Sequence, residues 1–308
     1  GHVRPDGDCV GACMGLYQYL RDNYRDVETD VYLEEIPSHF SFVEGTGDIR
    51  HQVEPGKTYD LFICLDCGDA ERLGFSRPLF ESAGQTFCVD HHISNQAFAD
   101  ENYIVPDASS TSELVFRLLD CGRITRGIAE ALYIGIVHDT GVFQYSCAGP
   151  ETFRIAADLL EKGVDAPSII ERTYYEKSYA QNQILGRALL ESIVFMHGQC
   201  IFSSVSQAVM KFYGVTPKEL DGIVSQLRIT KGVEVAIFLY EQEPNVYKVS
   251  LRSKEKVDVS RVAVYFGGGG HVKAAGCTMP GTVHDVINNL AGQIALQLEP
   301  EETKTEEA

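Results

Sequence analysis

Apolar positions along the first half of the chain switch repeatedly between helical and strand spacing. Val10, Met14, Tyr17, Leu20 and Tyr24 recur every three or four residues and predict an amphipathic helix. Tyr59–Leu65 and Thr86–Val89 are short apolar runs suited to buried parallel strands. Ser112–Leu119, Ile128–Val137 and Thr152–Leu160 return to helical spacing, the last with Pro150 near its start. Strands alternating with helices predict a doubly wound, mainly parallel α/β sheet. A polar helical stretch, Tyr174–Leu190, carries the link to a second region. There Cys200–Val205, Val233–Tyr240 and Val246–Leu251 read as strands, and Gln207–Tyr213, Pro217–Gln226 and Val283–Leu296 as helices. The expected layout is therefore a larger α/β domain over 1–185, a smaller α/β domain over 186–300 and a tail over 301–308. The first boundary carries a margin of about ten residues.

Composition narrows the class. The hydrophobic share is 44%, with 15 Phe and 15 Tyr, which suffices for two real cores. No apolar run reaches the roughly 18 residues of a membrane helix, so no membrane is expected as partner. Nine cysteines, mostly in apolar runs, favour reduced thiols and a cytoplasmic location over a disulfide framework. Cys64 and Cys67 form one C-x-x-C, but no second pair or nearby His completes a tetrahedral site. The net charge of −18 argues against a groove for long nucleic acid, whose binding rests on neutralising phosphates. Small anions and short oligonucleotides fit better. The tail from Glu299 to Ala308 holds five Glu against one Lys and reads as a solvated end.

Four polar clusters interrupt this pattern: His2 with Asp6 and Asp8, then Asp66, then Asp90-His91-His92, then Asp139-Thr140-Gly141. Each has a plain structural reading. Asp6-Gly7-Asp8 before a helix is a good turn and cap, Asp66 can sit in a turn, and Asp139-Thr140-Gly141 can stop a helix. An acid and two imidazoles straight after an apolar strand are harder to explain that way. In open α/β sheets ligands collect at the carboxyl ends of strands, where Asp66 and Asp90 fall. Taken together the set offers oxygen and imidazole donors suited to Mn²⁺ or Mg²⁺, and its crowded carboxylates need cations to offset their repulsion. In the second region Gly267–Gly270 allow close backbone approach, either as an anion nest or as a hinge. Arg252 and Lys254 near a strand end can grip a phosphate. Ser109-Ser110-Thr111 can touch a substrate or cap the helix that follows.

The order H-x-x-x-D-x-D, D, D-H-H, D-T-G, with Phe266-Gly-Gly-Gly-Gly-His271, Ala274-Ala-Gly276 and Ser250-Leu-Arg-Ser253 behind it, resembles the DHH phosphoesterase superfamily. It is most similar to the group of oligoribonucleases that also act as 3′-phosphoadenosine 5′-phosphate phosphatases. The resemblance spans nearly the whole chain. It implies two divalent metal ions, Mn²⁺ preferred, one held by His2, Asp6 and Asp66 and the other by Asp8, Asp66, His91 and Asp139. His92 would act on the reacting phosphate as proton donor or charge stabiliser, and Asp90 would orient a neighbouring His. Arg252, Ser253, Lys254, Gly268, Gly269, Gly270 and His271 would hold the substrate, with the active site in a cleft between the domains. By the same resemblance a strand is expected directly before His2, where only Gly1 stands.

The implied activity is hydrolysis of short RNA or DNA oligonucleotides, dinucleotides included, to 5′-mononucleotides, with removal of the 3′-phosphate of 3′-phosphoadenosine 5′-phosphate. The alternatives are a cyclic or linear dinucleotide phosphodiesterase, a pyrophosphatase, and a nucleotide sensor with a dead site. The sensor should have lost a ligand residue, and none is lost here. A homodimer is compatible with the sequence, which does not fix the oligomeric state.

Overall fold

The computed structural model of the chain describes residues 1–298, so the acidic tail from Glu299 onward lies outside the described residues. The chain forms two compact units that divide between Glu176 and Lys177. Residue 185 lies inside the first helix of the second unit.

The first unit contains α1 (Gly7–Asn23), β1 (Leu61–Leu65), α2 (Arg77–Ser82), β2 (Gln85–Asp90), β3 (Glu101–Ile104), α3 (Thr111–Leu118), α4 (Arg126–Asp139), α5 (Pro150–Glu161) and α6 (Ala166–Ile170). A single π-turn, Glu171–Tyr175, follows α6. The three strands are parallel in the order β1-β2-β3. Layers cover both faces, as the apolar runs predict. Leu65 and Val89 join α1, α3 and α4 in one core, while Phe62, Cys64 and Cys88 meet Leu73 and Leu79 in the other. Helix α4 is the centre of the larger core: Ile128, Leu132, Ile134, Ile136 and Val137 are fully buried. A side chain at Gly135 would collide with Ser112 and Asp8, so this glycine lets α4 approach the start of α1.

The second unit contains α7 (Tyr179–Leu190), β4 (Ile193–Phe195), β5 (Cys200–Val205), α8 (Gln207–Tyr213), α9 (Ile223–Arg228), β6 (Val235–Glu243), β7 (Val246–Ser253), α10 (Val259–Tyr265), β8 (Gly269–His271), β9 (Ala274–Pro280) and α11 (Val283–Leu298). Its six strands run β4-β5-β6-β7-β9-β8, with only β5 and β6 parallel. The helix expected over Pro217–Gln226 is two pieces. A 3-10 turn, Pro217–Leu220, ends before Gly222, whose φ of 85° restarts the chain as α9. Tyr174 and Tyr175 belong to the π-turn rather than to α7. Among the described residues no helix is long and apolar enough to cross a membrane.

Candidate active site

All four polar clusters of the first unit converge. Asp6 caps α1, accepting from the backbone N–H of Asp8 and of Cys9 at 3.1 Å each. Asp66 follows β1 directly, and Asp90 is the last residue of β2. Parallel pairing of these strands aligns their carboxyl ends, so Asp66 and the Asp90-His91-His92 turn arrive side by side. Asp139 ends α4. The cap and helix-stop readings of Asp6 and Asp139 are thus correct locally and do not exclude a further role.

Asp66 sits at the middle of the cluster. Its carboxylate lies 3.3 Å from His2 Nε2, 3.8 Å from His91 Nε2 and 3.7 Å from His92 Nδ1. Its backbone takes a φ of 61°, a left-handed conformation uncommon outside glycine, while its N–H donates to Val89 O at 3.1 Å. His91 Nε2 is 3.0 Å from Asp139 and 4.0 Å from Asp8. Asp8 is held by the start of α3, where the N–H groups of Thr111 and Ser112 donate to its two oxygens at 2.6 and 2.9 Å. His92 Nδ1 lies 2.7 Å from Asp90, which also accepts from Asn95 at 2.6 Å. Three donor groups are close enough to share an ion: Asp8 with His91 and Asp139, Asp66 with His91 and His92, and His2 with Cys9 and Asp66.

Sequence reasoning missed two of these contributors, Cys9 and Asn95, and gave the third, Thr111, a different role. Cys9 is buried one turn into α1, beside His2 and Asp66. Thr111 donates its hydroxyl to Asp66 at 3.1 Å, across 45 residues of chain. Asn95 ties Asp90 to the carbonyl of Cys67. The Ser109–Thr111 stretch divides its work. Ser110 caps α3, Ser109 donates to the buried Glu113 at 2.5 Å, and Thr111 reaches the cluster.

The protonation of the cluster reflects its surplus of acid. Burial pushes Asp8 well above the usual carboxylate range, and the nearby Asp66 and Asp139 push it further. Burial likewise raises Asp66, against the pull of His2. Burial opposes charge on His2, but Asp6 and Asp66 outweigh it and lift its pKa to about 10. His91 reaches about 10 in the same way, through Asp139 and Asp8. The repulsion that raises the Asp8 and Asp66 carboxylates is what divalent cations would offset. Bare carboxylates and imidazoles crowded within ion-sharing distance fit divalent metal, and the buried thiol of Cys9 is the single soft donor among them.

The candidate substrate residues of the second unit show a different pattern. Arg252, Ala274 and His271 are register partners across β7, β9 and β8, so they form one row on one face of the sheet. His271 is exposed and Arg252 half-buried. Ser253 points the other way: it is 2% exposed and donates its hydroxyl to Val257 O at 2.7 Å. Lys254 donates to Thr230 O at 3.0 Å. The glycine run is neither a free nest nor a hinge. Gly267, at φ 74°, and Gly268 donate to Val264 O and Ala263 O and close the end of α10, and Gly269–His271 is a strand. Side chains at Gly268 or Gly270 would collide with β9. Arg252 Nη1 donates to Leu251 O at 3.0 Å, so Arg252, Ser253 and Lys254 each donate to a backbone carbonyl of the unit.

A parallel sheet thus carries this cluster, and a mixed-sheet unit follows it in the chain. The N-terminal domain of the DHH family matches residues 1–136 and the DHHA1 domain matches residues 201–296. The chain belongs to the DHH phosphoesterase family and is a metal-dependent hydrolase. It is 30% identical over 287 residues to the bifunctional oligoribonuclease and PAP phosphatase NrnA of Thermus thermophilus, covering 91% of this chain and 83% of that protein. With the protein of the same name from Bacillus subtilis it shares 25% identity, covering 90% of this chain and 87% of that one. An exopolyphosphatase-related protein from Bacteroides fragilis superposes with a TM-score of 0.87 at 28% identity, covering 97% of this chain and 92% of that one.

Proposed function

We propose that this chain hydrolyses short oligonucleotides to 5′-mononucleotides and removes the 3′-phosphate of 3′-phosphoadenosine 5′-phosphate. The observation that carries the reading is the meeting of His2, Asp8, His91, His92 and Asp139 around the carboxylate of Asp66. The names of the relatives supply the substrate class. His2, Asp6 and Asp66 would hold one divalent cation, and Asp8, Asp66, His91 and Asp139 a second. The mixture of imidazole and carboxylate suits Mn²⁺ better than Mg²⁺. Bound there, such cations lower the pKa of water and offset charge on phosphate oxygens.

The side chains divide the remaining work. Thr111 and the N-terminus of α3 fix the directions of Asp66 and Asp8. Asp90 receives Nδ1–H of His92, which leaves Nε2 to carry a proton to the departing alkoxide. In the second unit the row of Arg252 and His271 holds the part of the substrate that does not react. All nine cysteines are free thiols, which suits a reducing cytoplasm.

The deciding experiment offers a 5′-labelled dinucleotide, a long RNA, a cyclic dinucleotide, pyrophosphate and 3′-phosphoadenosine 5′-phosphate, each with Mn²⁺ and with a chelator. The linear dinucleotide and the bisphosphate should be consumed fastest, only with metal. Preferred turnover of the cyclic dinucleotide or of pyrophosphate would replace the reading, and binding without turnover would make the chain a sensor.

A further inference from the structure

Beside the acidic cluster lies an aromatic group that the chemistry above does not use. The His138 ring packs directly on Gly7, between Asp6 and Asp8, so closely that a side chain at Gly7 would collide with it. Phe40, 1% exposed, meets His138 edge-on at 5.0 Å, and Tyr174 meets it from another side at 5.6 Å. His39 lies parallel to His138, with 10° between planes and 6.4 Å between centroids. Tyr175 stands edge-on to Tyr174 at 5.2 Å.

Two features separate this group from ordinary core packing. His39 is exposed, although it also meets Phe40 edge-on at 4.2 Å, Tyr174 is half-buried and Tyr175 55% exposed, so part of this aromatic group stays in contact with solvent beside the cluster. The backbone is also distorted to make the arrangement. The π-turn at Glu171–Tyr175 turns Thr173 inward, where its hydroxyl donates to Ile169 O at 2.8 Å. Thr173 Oγ1 has then used its one proton, so at 2.9 Å it accepts from His138 Nε2–H and fixes that ring. The turn brings both Thr173 and the adjacent Tyr174 to His138. Such turns recur at functional positions in helices.

We propose that His39 and Tyr174, set on the fixed ring of His138, form a stacking shelf for the nucleobase of the nucleotide whose phosphate reacts. The proposal rests on the oligonucleotide reading and adds the part of the substrate that the first unit recognises. Every base has a π-face, so the shelf tolerates base identity but requires a base. Its residues all belong to the first unit, and His138 ties it to Gly7 between Asp6 and Asp8.

Two measurements test it. The first is quenching of a 2-aminopurine nucleotide, which reports stacking whether or not the nucleotide is cleaved. Wild type should quench it, His39→Ala should lose the quench, and His39→Phe should restore it. The second compares kcat/KM for a dinucleotide with that for an analogue lacking the base on the reacting nucleotide. Wild type should prefer the intact dinucleotide by about ten-fold or more, and the preference should collapse in His39→Ala. Equal quenching by wild type and His39→Ala would overturn the shelf, as would a wild type that ignores loss of the base. A drop in melting temperature with unchanged quenching would reduce His39 to packing. Quenching without dinucleotide cleavage would leave the shelf standing and defeat the oligonucleotide reading instead.

Discussion

In the first unit the polar groups are crowded, drawn from four separated stretches of chain, and buried at His2, Asp8, Asp66 and Asp90. In the second unit the corresponding residues lie in one cross-strand row, and His271 at its end is exposed. The first arrangement works against stability. Asp8 and Asp66 are 1% and 2% exposed with acids as neighbours, and Asp66 holds a left-handed backbone. A network that reaches from α3 to Asn95 holds these groups. The second arrangement costs little, because a solvated sheet face accepts polar side chains at every other residue. On the proposed reading, chemistry that must focus charge is built from mutually dependent groups, and binding from nearly independent ones.

The comparison is broken most easily at Asp66. Asp66→Asn keeps the size of the side chain but removes the charge at the middle of the cluster and turns one acceptor oxygen into a donor. Turnover should fall by about a thousand-fold or more, with an unchanged circular dichroism spectrum. Substantial activity at equal Mn²⁺ would mean that the cluster is not organised around this residue. His92→Ala comes next. Losing the proton donor should lower kcat about a hundred-fold while bound metal, read by elemental analysis, stays constant. Metal lost together with activity would make His92 a ligand, consistent with its place beside Asp66 and His91.

The contrast also explains what could be read from sequence. Asp66 and Asp90 were legible because each closes an apolar run, and a strand end is where such sheets bind ligands. Thr111, Asn95 and Cys9 were not, because their roles depend on which distant segment folds beside them. Among strands, β1, β2 and β5 announce themselves by apolar runs. β3, Glu101–Ile104, is too short and too polar to do so. β8 and β9 begin in Gly and Ala, which carry no alternation, and Gly269-Gly270-His271 therefore read as a loop. Arg252 was legible by its charge. That Ser253 turns away from it follows only from the pleat.

In the second unit the expected losses are smaller and separable. Arg252→Ala should raise KM for a dinucleotide about ten-fold with kcat nearly unchanged, since a charge-assisted contact to a non-reacting phosphate is lost. The same variant should alter KM for long RNA less, because more phosphates share the binding there. A fall in kcat of similar size would place Arg252 in the reacting part of the substrate and weaken the division of labour between units.

Ser253 gives the finest test, because it sits next to Arg252 in sequence and on the opposite face in space. β7 alternates strictly: Tyr247, Val249, Leu251 and Ser253 are buried, while Lys248, Ser250 and Arg252 are not. The Ser253 hydroxyl donates to Val257 O, and its N–H to Lys273 O at 3.1 Å, so it pins the turn after β7 against the start of β9. Ser253→Ala leaves the Val257 carbonyl without that donor and should destabilise the protein by about 1 kcal/mol in urea unfolding. KM for the dinucleotide should stay at the wild-type value, in contrast to Arg252→Ala, and a double variant should show the two effects simply added. A rise in KM without loss of stability would turn Ser253 back into a substrate contact. The second unit would then use both faces of its sheet edge, and the row of Arg252 and His271 would no longer account for binding alone.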